Sequence, residues 1–436
     1  MTTVRYEAPH VVTQDRDDRW LSPGAVEVSN GRISAVGPAD QLSPSEDAVV
    51  HRLDGMLLPG FVNAHAHTPM VLLRGAGEGL PVDRWLTEVM WPREGRLTPD
   101  DVQWGMLLGA AQLVSGGITT SAEMYFHGEE VAAAAREVGL RCIVAPPLLV
   151  TDDISLFGTW EQQLESALAQ ARANQDDELI DVALGPHSAY AVPEEPLREA
   201  ARLAADNDLL LHIHVAEQEH EGDAIMRQHG VTVPHYLEQL GALEARVLAA
   251  HGVWLTPDDI ALFAERGVGV AHCPASNGKH ASGLAPVTEL REAGIRVAIA
   301  TDGPASHDRL DPFEEMRTAM RLARLRQEDA NALGPRDVLR MATREAAEAL
   351  GRDDIGAIEV GRRADLVHLD LDPVVLSPVV EREDVLTHVV WSGTPTLVRD
   401  VWIEGRKVVD AGELTNLDLP VVAAEVAERA RRLAGS

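Results

Sequence analysis

Eight short apolar runs, each followed by a stretch long enough for a helix, constrain this chain more than any other feature. The runs are "MLLPGFVNAHAH" (56–67), "GITTSAEM" (117–124), "RCIVAPPLLV" (141–150), "IDVALGPHS" (180–188), "LLLHIHVAE" (209–217), "RVLAAHGVWL" (246–255), "GVGVAHCPAS" (267–276) and "RVAIATDG" (296–303). Ala-, Leu-, Arg- and Glu-rich amphipathic segments such as "LTPDDVQWGMLLGAAQLVSGG" (97–117) and "PEEPLREAARLAADN" (193–207) separate them. Apolar runs of strand length alternating with helical periodicity indicate βα units. Eight such units in succession predict an α/β chain built on a (β/α)8 TIM barrel, whose chemistry gathers at the C-terminal ends of the strands. A doubly wound open sheet is the structural alternative.

The two ends of the chain follow another rhythm. "AVEVSNGRISAVGP" (25–38) alternates apolar and polar residues about an Asn-Gly turn, the signature of a hairpin. "ADLVHLD" (364–370) and "VRDVWIEGRKVVDAGEL" (398–414) show the same short strands and turn residues. The expectation is one small β-sandwich domain made from both termini, residues 1–55 and 359–436, around a barrel at 56–358. The tail "VVAAEVAERARRLAG" (421–435) reads as an amphipathic helix used for packing.

A chain of 436 residues is large enough for such a barrel plus a smaller domain. Its formal charge of −31, with Lys only at 279 and 407 and no basic cluster, argues against nucleic acid and anionic membranes as partners and for a small neutral or cationic substrate. No signal-peptide pattern or membrane-length apolar run is evident, so the cytoplasm is the expected location. Cys142 and Cys273 stand alone without CxxC spacing, which suggests neither a disulfide framework nor a cysteine zinc site. No oligomer interface can be read, and a homo-oligomer stays open.

Residues i and i+2 of a strand face the same side. His65 and His67 at the end of the first run therefore both point inward at the rim, and His214 and Glu217, His251 and Asp302 close the fifth, sixth and eighth runs. One histidine so placed is ordinarily a core residue, whereas four histidines and an aspartate at the ends of four strands converge on one site. Imidazole nitrogens with one carboxylate suit Zn²⁺, with Fe²⁺ as the other candidate ion, and zinc brings the pKa of coordinated water to ~7.

The pieces "PGFVNAHAHTPMVLLRG" (59–75), "HIHVAEQ" (212–218), "AAHGVWL" (249–255), "HCPASN" (272–277), "GLAPV" (283–287), "ATDGPAS" (300–306) and "GRRADLVHLD" (361–370) together resemble the amidohydrolase superfamily over nearly the whole chain. Within it they are similar to the branch holding methylthioadenosine/S-adenosylhomocysteine deaminases and s-triazine hydrolases. The resemblance implies a metal held by His65, His67, His214 and Asp302. Some members bridge two metals with a carbamylated lysine on strand four, but "VALGPHSAY" (182–190) has no lysine, so one ion is expected. The deaminases use a glutamate three residues past the fifth-strand histidine as proton shuttle, which maps to Glu217. Asp302 would take a proton from the attacking water, and His251 would polarise or orient that oxygen.

The resemblance also implies substrate contacts. Glu94 in "MWPREGRLT" (90–98) falls where the adenosyl deaminases hold the ribose hydroxyls, and a carboxylate is a good bidentate acceptor for a cis-diol. His187 maps to a nucleoside contact and Ser306 to a purine contact. The chain departs from these relatives after the third strand, where they carry an arginine suited to a homocysteine carboxylate. Here stand Pro146 and Pro147, followed by a loop (151–163) that offers Leu156, Phe157 and Trp160 and no arginine. A 5′-modified adenosine with an apolar or small substituent, such as methylthioadenosine or 5′-deoxyadenosine, is the expected substrate of a zinc-dependent hydrolytic deaminase. The alternatives are a guanine or 8-oxoguanine deaminase, an aminodeoxyfutalosine deaminase, a triazine hydrolase, and, more remotely, a non-catalytic binding protein on the same barrel. "RGAGEGL" (74–80) opens no phosphate-binding helix, and no GxSxG nucleophile elbow occurs. Trp85 and Trp91 are expected to pack over the site or in the core.

Overall fold

The computed structural model describes residues 3–150 and 158–435. Eight parallel strands carry the site: β1 Phe61–Ala66, β2 Ile118–Glu123, β3 Arg141–Val144, β4 Ile180–Val182, β5 Leu210–Val215, β6 Arg246–His251, β7 Gly269–His272 and β8 Val297–Ile299. Their ladders form two four-stranded sheets, β4-β3-β2-β1 and β5-β6-β7-β8. Isolated parallel bridges join Leu184 to Leu211, Ser188 to His214, and Ala66 to Asp302. Asn63, on the same face of β1 as His65, donates to Thr301 Oγ1 (2.8 Å) and accepts from Thr301 N (2.8 Å), tying β1 to the segment after β8. The chain is thus α/β with parallel strands, as the alternating pattern predicts.

The helices between strands bury one face each. Glu194–Asp206 buries Leu197, Ala200, Ala201 and Ala204, the i, i+3, i+4, i+7 stripe of an amphipathic helix, and leaves its charged residues outside. Thr98 and Thr256 begin the helices Pro99–Ser115 and Pro257–Arg266 with reciprocal capping boxes to Asp101 and Asp259.

Several expected strands are shorter than the apolar runs suggested. The first run divides at Gly60: Met56–Pro59 pairs with Leu366–Leu369 in a seven-stranded sheet made from both ends of the chain, and only Phe61 onward joins β2. A Cβ at Gly60 would lie 2.0 Å from Thr119 Oγ1, so a side chain there would push the two layers apart. The terminal ladder therefore reaches Pro59, beyond the expected limit at residue 55. "RCIVAPPLLV" breaks at the Pro146-Pro147 pair, which lacks the N–H groups a ladder needs. Its remnant Pro147–Leu148 pairs instead with Gly185–Pro186. "PAS" of the seventh run is helical, within Pro274–Lys279.

The terminal hairpin is as anticipated, with Gly24–Ser29 antiparallel to Arg32–Pro38 and positive φ at both Asn30 and Gly31. A second sheet, in the order Arg32–Pro38, Gly24–Ser29, Val4–Ala8, Val49–Arg52, completes the terminal layers. Arg141, at the start of β3 and 1% exposed, pairs with Asp365 at 3.0 Å and with Glu404, locking the parallel strands to the C-terminal sheet. The final helix, Leu419–Ala434, packs on Pro99–Ser115 through Arg432 to Asp101. Both cysteines are buried and unbridged, and among the described residues no helix is long and apolar enough to cross a membrane.

Candidate active site

The functional side chains lie where the parallel strands end, and the backbone bends sharply there. Ala216 (φ 51°), His251 (φ 74°) and Asp302 (φ 58°) all occupy the left-handed region, which costs a non-glycine residue about 1 kcal/mol or more and here re-aims the chain at three strand ends that meet at one point.

His65, His67 and His214 place one ring nitrogen each within 4.8 Å of one another. Their other nitrogens are all engaged. His67 Nδ1 donates to Met124 O at 2.5 Å, His214 Nδ1 donates to His187 O at 2.7 Å, and His65 Nδ1 lies 2.8 Å from His212 Nε2. The two carbonyl contacts fix the tautomers of His67 and His214 so that their Nε2 lone pairs face the centre, the arrangement that orients metal-ligating histidines, and a proton on His65 Nδ1 shared with His212 turns the third Nε2 lone pair to the same point. Asp302 Oδ1 faces the same point, 3.5 Å from His65 Nε2 and 3.4 Å from His67 Nε2. The buried His65 Nε2 has no hydrogen-bond partner. An orphaned imidazole nitrogen among two more and a carboxylate fits a divalent ion of the zinc type.

Burial governs the ionisation of this cluster. It lowers His65 to about 4 and holds His214 well below the usual histidine range, so both are neutral and able to ligate at pH 7. His251 goes the other way: burial lowers it, but the Glu217 and Asp302 carboxylates more than offset burial and raise it. Its Nδ1 donates to Asn277 Oδ1 at 2.9 Å, and its Nε2 stands 3.8 Å from Glu217 Oε2. Burial would raise the Asp302 carboxyl, yet the histidines beside it hold it well below the usual carboxylate range.

The expected catalytic, metal-ligating and substrate-contact residues all line one cavity except His65, which lies beneath it, fully buried, whereas Trp160, expected at the 5′ end of the substrate, lines a separate groove with Glu194 and Arg198. Glu94 reaches the cavity from a continuous helical segment (82–94) that widens to a π-turn at Leu86–Met90, just before Pro92 removes a backbone donor. Burial pushes the Glu94 carboxyl up to about 7, with the Tyr125 hydroxyl beside it opposing the rise. His187 lines the wall, its ring 4.6 Å from that of His214, and its carbonyl orients the His214 imidazole. Ser306 also lines the cavity, but its hydroxyl is within 2.6 Å of Gly303 O and 3.1 Å of Asp302 Oδ2, so it steadies the aspartate. Trp85 and Trp91 both form part of the wall.

His212, Asn277 and Ser276 escaped the sequence reading. His212 is two residues before His214, and the same i, i+2 rule that paired His65 with His67 could have found it. Ser276, whose hydroxyl is 2.5 Å from Asp302 Oδ2, and Asn277 sit in a short helix that the sequence disguised as a strand. Leu156 and Phe157 lie outside the described residues.

A histidine-rich, carboxylate-flanked centre at the ends of parallel strands defines a metal-dependent hydrolase site, and the chain belongs to the amidohydrolase family, which residues 56–408 match. Among its relatives, a 5′-deoxyadenosine deaminase from Methanothermobacter thermautotrophicus is 40% identical over 95% of each chain. A 5-methylthioadenosine/S-adenosylhomocysteine deaminase from Pelotomaculum thermopropionicum is 37% identical over 99% of each. The solved structure of a Xanthomonas campestris adenosine deaminase with bound zinc superposes with a TM-score of 0.93 at 35% identity, covering 99% of both chains.

Proposed function

We propose that this chain is a mononuclear, zinc-dependent hydrolytic deaminase that replaces the 6-amino group of an adenosine-type nucleoside with oxygen and releases ammonia. The observation that carries the reading is the placement of Glu217 and His251, 3.8 Å apart, in the cavity lined by His67, His214 and Asp302, directly above the buried His65. The relatives at 40% and 37% identity, both named as deaminases of adenosine derivatives, support it.

His65, His67, His214 and Asp302 would hold the ion. When bound, Zn²⁺ supplies Lewis acidity that makes water a competent nucleophile near neutral pH. The protein's part is proton placement. Asp302 accepts a proton from the attacking water, and His251 Nε2 orients that water. Glu217 delivers its proton to the ring nitrogen beside the reacting carbon, takes the second water proton from the new C6 hydroxyl and passes it to the departing amine, and is reprotonated by the proton held on Asp302. In the net balance, the two water protons appear one on the ring nitrogen and one on ammonia.

Glu94 is assigned to the ribose hydroxyls, and its burial near Tyr125 supports a role that needs a single oriented acceptor. His187 completes the nucleoside wall. Among the described residues the cavity wall contains no lysine or arginine, and Phe126, Pro147 and Leu149 form an apolar stretch of it. This lining favours hydrogen or methylthio at the 5′ position over an amino-acid tail. For the frame, the bridges at Leu184, Ser188 and Ala66, with the Asn63–Thr301 pair, support a barrel closed between β4 and β5 and between β8 and β1. The two terminal sheets support a small β-sandwich domain built from both ends, with Met56–Pro59 assigned to it.

Ammonia release from zinc-loaded protein tests the reading with 5′-deoxyadenosine, methylthioadenosine, adenosine, S-adenosylhomocysteine, adenine and guanine. The expected order puts the apolar 5′ nucleosides first and S-adenosylhomocysteine at least ~10-fold behind in kcat/KM, the size of one ~1.4 kcal/mol discrimination. Silence on every adenosine nucleoside, or a preference for free guanine, would overturn it.

A further inference from the structure

The catalytic turn at Glu217 is held from behind by a second buried acid. Glu221, 2% exposed, sits in the first turn of the helix Glu219–His229 and accepts the Glu217 backbone N–H through Oε2 at 3.0 Å. An ordinary capping box returns the side chain of the third helical residue to the backbone N–H of the N-cap, here Gln218. This one reaches a residue further back, past the N-cap to the catalytic glutamate itself. The residue between β5 and Glu217 is Ala216, in the left-handed region, so the chain must reverse direction there against its own preference. Its carbonyl is bound by Val253 N (3.0 Å) and Trp254 N (2.9 Å) from the loop after His251. The N–H on the far side of the Ala216–Glu217 bend is the one Glu221 takes.

We infer that Glu221 is a positioning residue for the deamination assigned above: it fixes the bend that aims the Glu217 carboxylate at the metal-side reactants. The inference rests on the assignment of Glu217 as proton shuttle. Burial, and secondly the charge of Glu217, push the Glu221 carboxyl up to about 8. At neutral pH it is thus a neutral acceptor that adds no second charge beside the shuttle. Its Oε1 has no protein partner, although it is buried. Glu221 also lines a neighbouring cavity that shares Val82, Leu86, Trp91 and Tyr190 with the active-site wall. A glutamine would keep the acceptor and the neutrality, whereas an alanine would lose the acceptor.

The test compares Glu221→Ala, Glu221→Gln, Glu217→Gln and, as a helix-cap control, Asp337→Ala, which removes a carboxylate bound to Gly334 N outside the cavity wall. The zinc-loaded proteins are assayed for kcat, KM, zinc content and Tm. Glu221→Ala should lower kcat about 100-fold at unchanged KM and zinc content, and Glu221→Gln should recover kcat to within about threefold. Asp337→Ala should lose Tm without losing kcat. If Glu221→Ala keeps kcat while Glu217→Gln abolishes it, the positioning role is wrong and the shuttle stands. If Glu217→Gln retains turnover, the assignment beneath it has failed. A Glu221→Gln variant as slow as the alanine variant at intact zinc content would also overturn the inference.

Discussion

Replacing Glu94 by glutamine separates a ribose contact from a buried structural acid. The carboxyl is raised by burial from 4.5 to about 7, so ionising it in the folded protein costs about 3 kcal/mol at 1.36 kcal/mol per unit. Only the ionised form offers four lone-pair sites and no competing donor to two hydroxyls. Below pH 7 the competent fraction falls about tenfold per unit, and kcat/KM for a nucleoside should fall with it, to roughly a tenth of the plateau at pH 6. Glutamine removes that acidic limb. It also weakens two hydrogen bonds to a charged acceptor, worth ~1.5–3 kcal/mol each in full, so plateau kcat/KM should drop about 100-fold. The assay is kcat/KM for 5′-deoxyadenosine and its 2′,3′-dideoxy analogue from pH 5.5 to 8.5 in both proteins. Stability gives a second readout: an acid whose folded pKa is raised disfavours folding as pH climbs from about 4.5 to about 7, and by a constant amount above that. The metal-free wild type should therefore lose up to about 3 kcal/mol relative to the variant across that window. Equal loss of both substrates, or an unchanged acidic limb in the variant, would refute the ribose assignment.

Three further outcomes follow from the geometry. Glu217→Gln should reduce kcat by roughly 10²–10⁴-fold, the span of a lost general acid, while zinc content measured by elemental analysis stays at one ion per chain. Chelation should abolish turnover and lower Tm, and equimolar Zn²⁺ should restore both, because a ligand that binds the folded state stabilises it by mass action. Arg141→Ala should cost ~3–5 kcal/mol in denaturant unfolding, since it strands the buried Asp365 carboxylate and breaks the link between β3 and the C-terminal sheet. Less than ~1 kcal/mol would mean that the two layers do not depend on this contact.

Much of this site could be read from residue periodicity. His65 with His67, His214 and Asp302 were found because strand ends and the i, i+2 rule leave few other places for inward polar groups. The parts that escaped depend on breaks in that regularity. Pro146-Pro147 cut a run that composition alone would extend, and Gly60 divided another between two sheets because only a residue without Cβ can pass Thr119. Ser276 and Asn277 were hidden by a helix of six residues, too short to declare a period. Ser306 shows a different limit. Its position beside Asp302 was legible, but whether its hydroxyl faces substrate or aspartate depends on a rotamer. Glu221 was invisible for a similar reason, since nothing in the spacing tells a cap that returns to the N-cap from one that reaches a catalytic residue.

The most direct test of the account is one turnover experiment in H₂¹⁸O with zinc-loaded protein and 5′-deoxyadenosine, followed by mass spectrometry and ammonia assay. The expected product carries one ¹⁸O at the purine C6 position with one ammonia per nucleoside consumed, and Glu217→Gln forms it roughly 10²–10⁴-fold more slowly. An unlabelled product, a cleaved glycosidic bond, or full turnover by the variant would contradict the account.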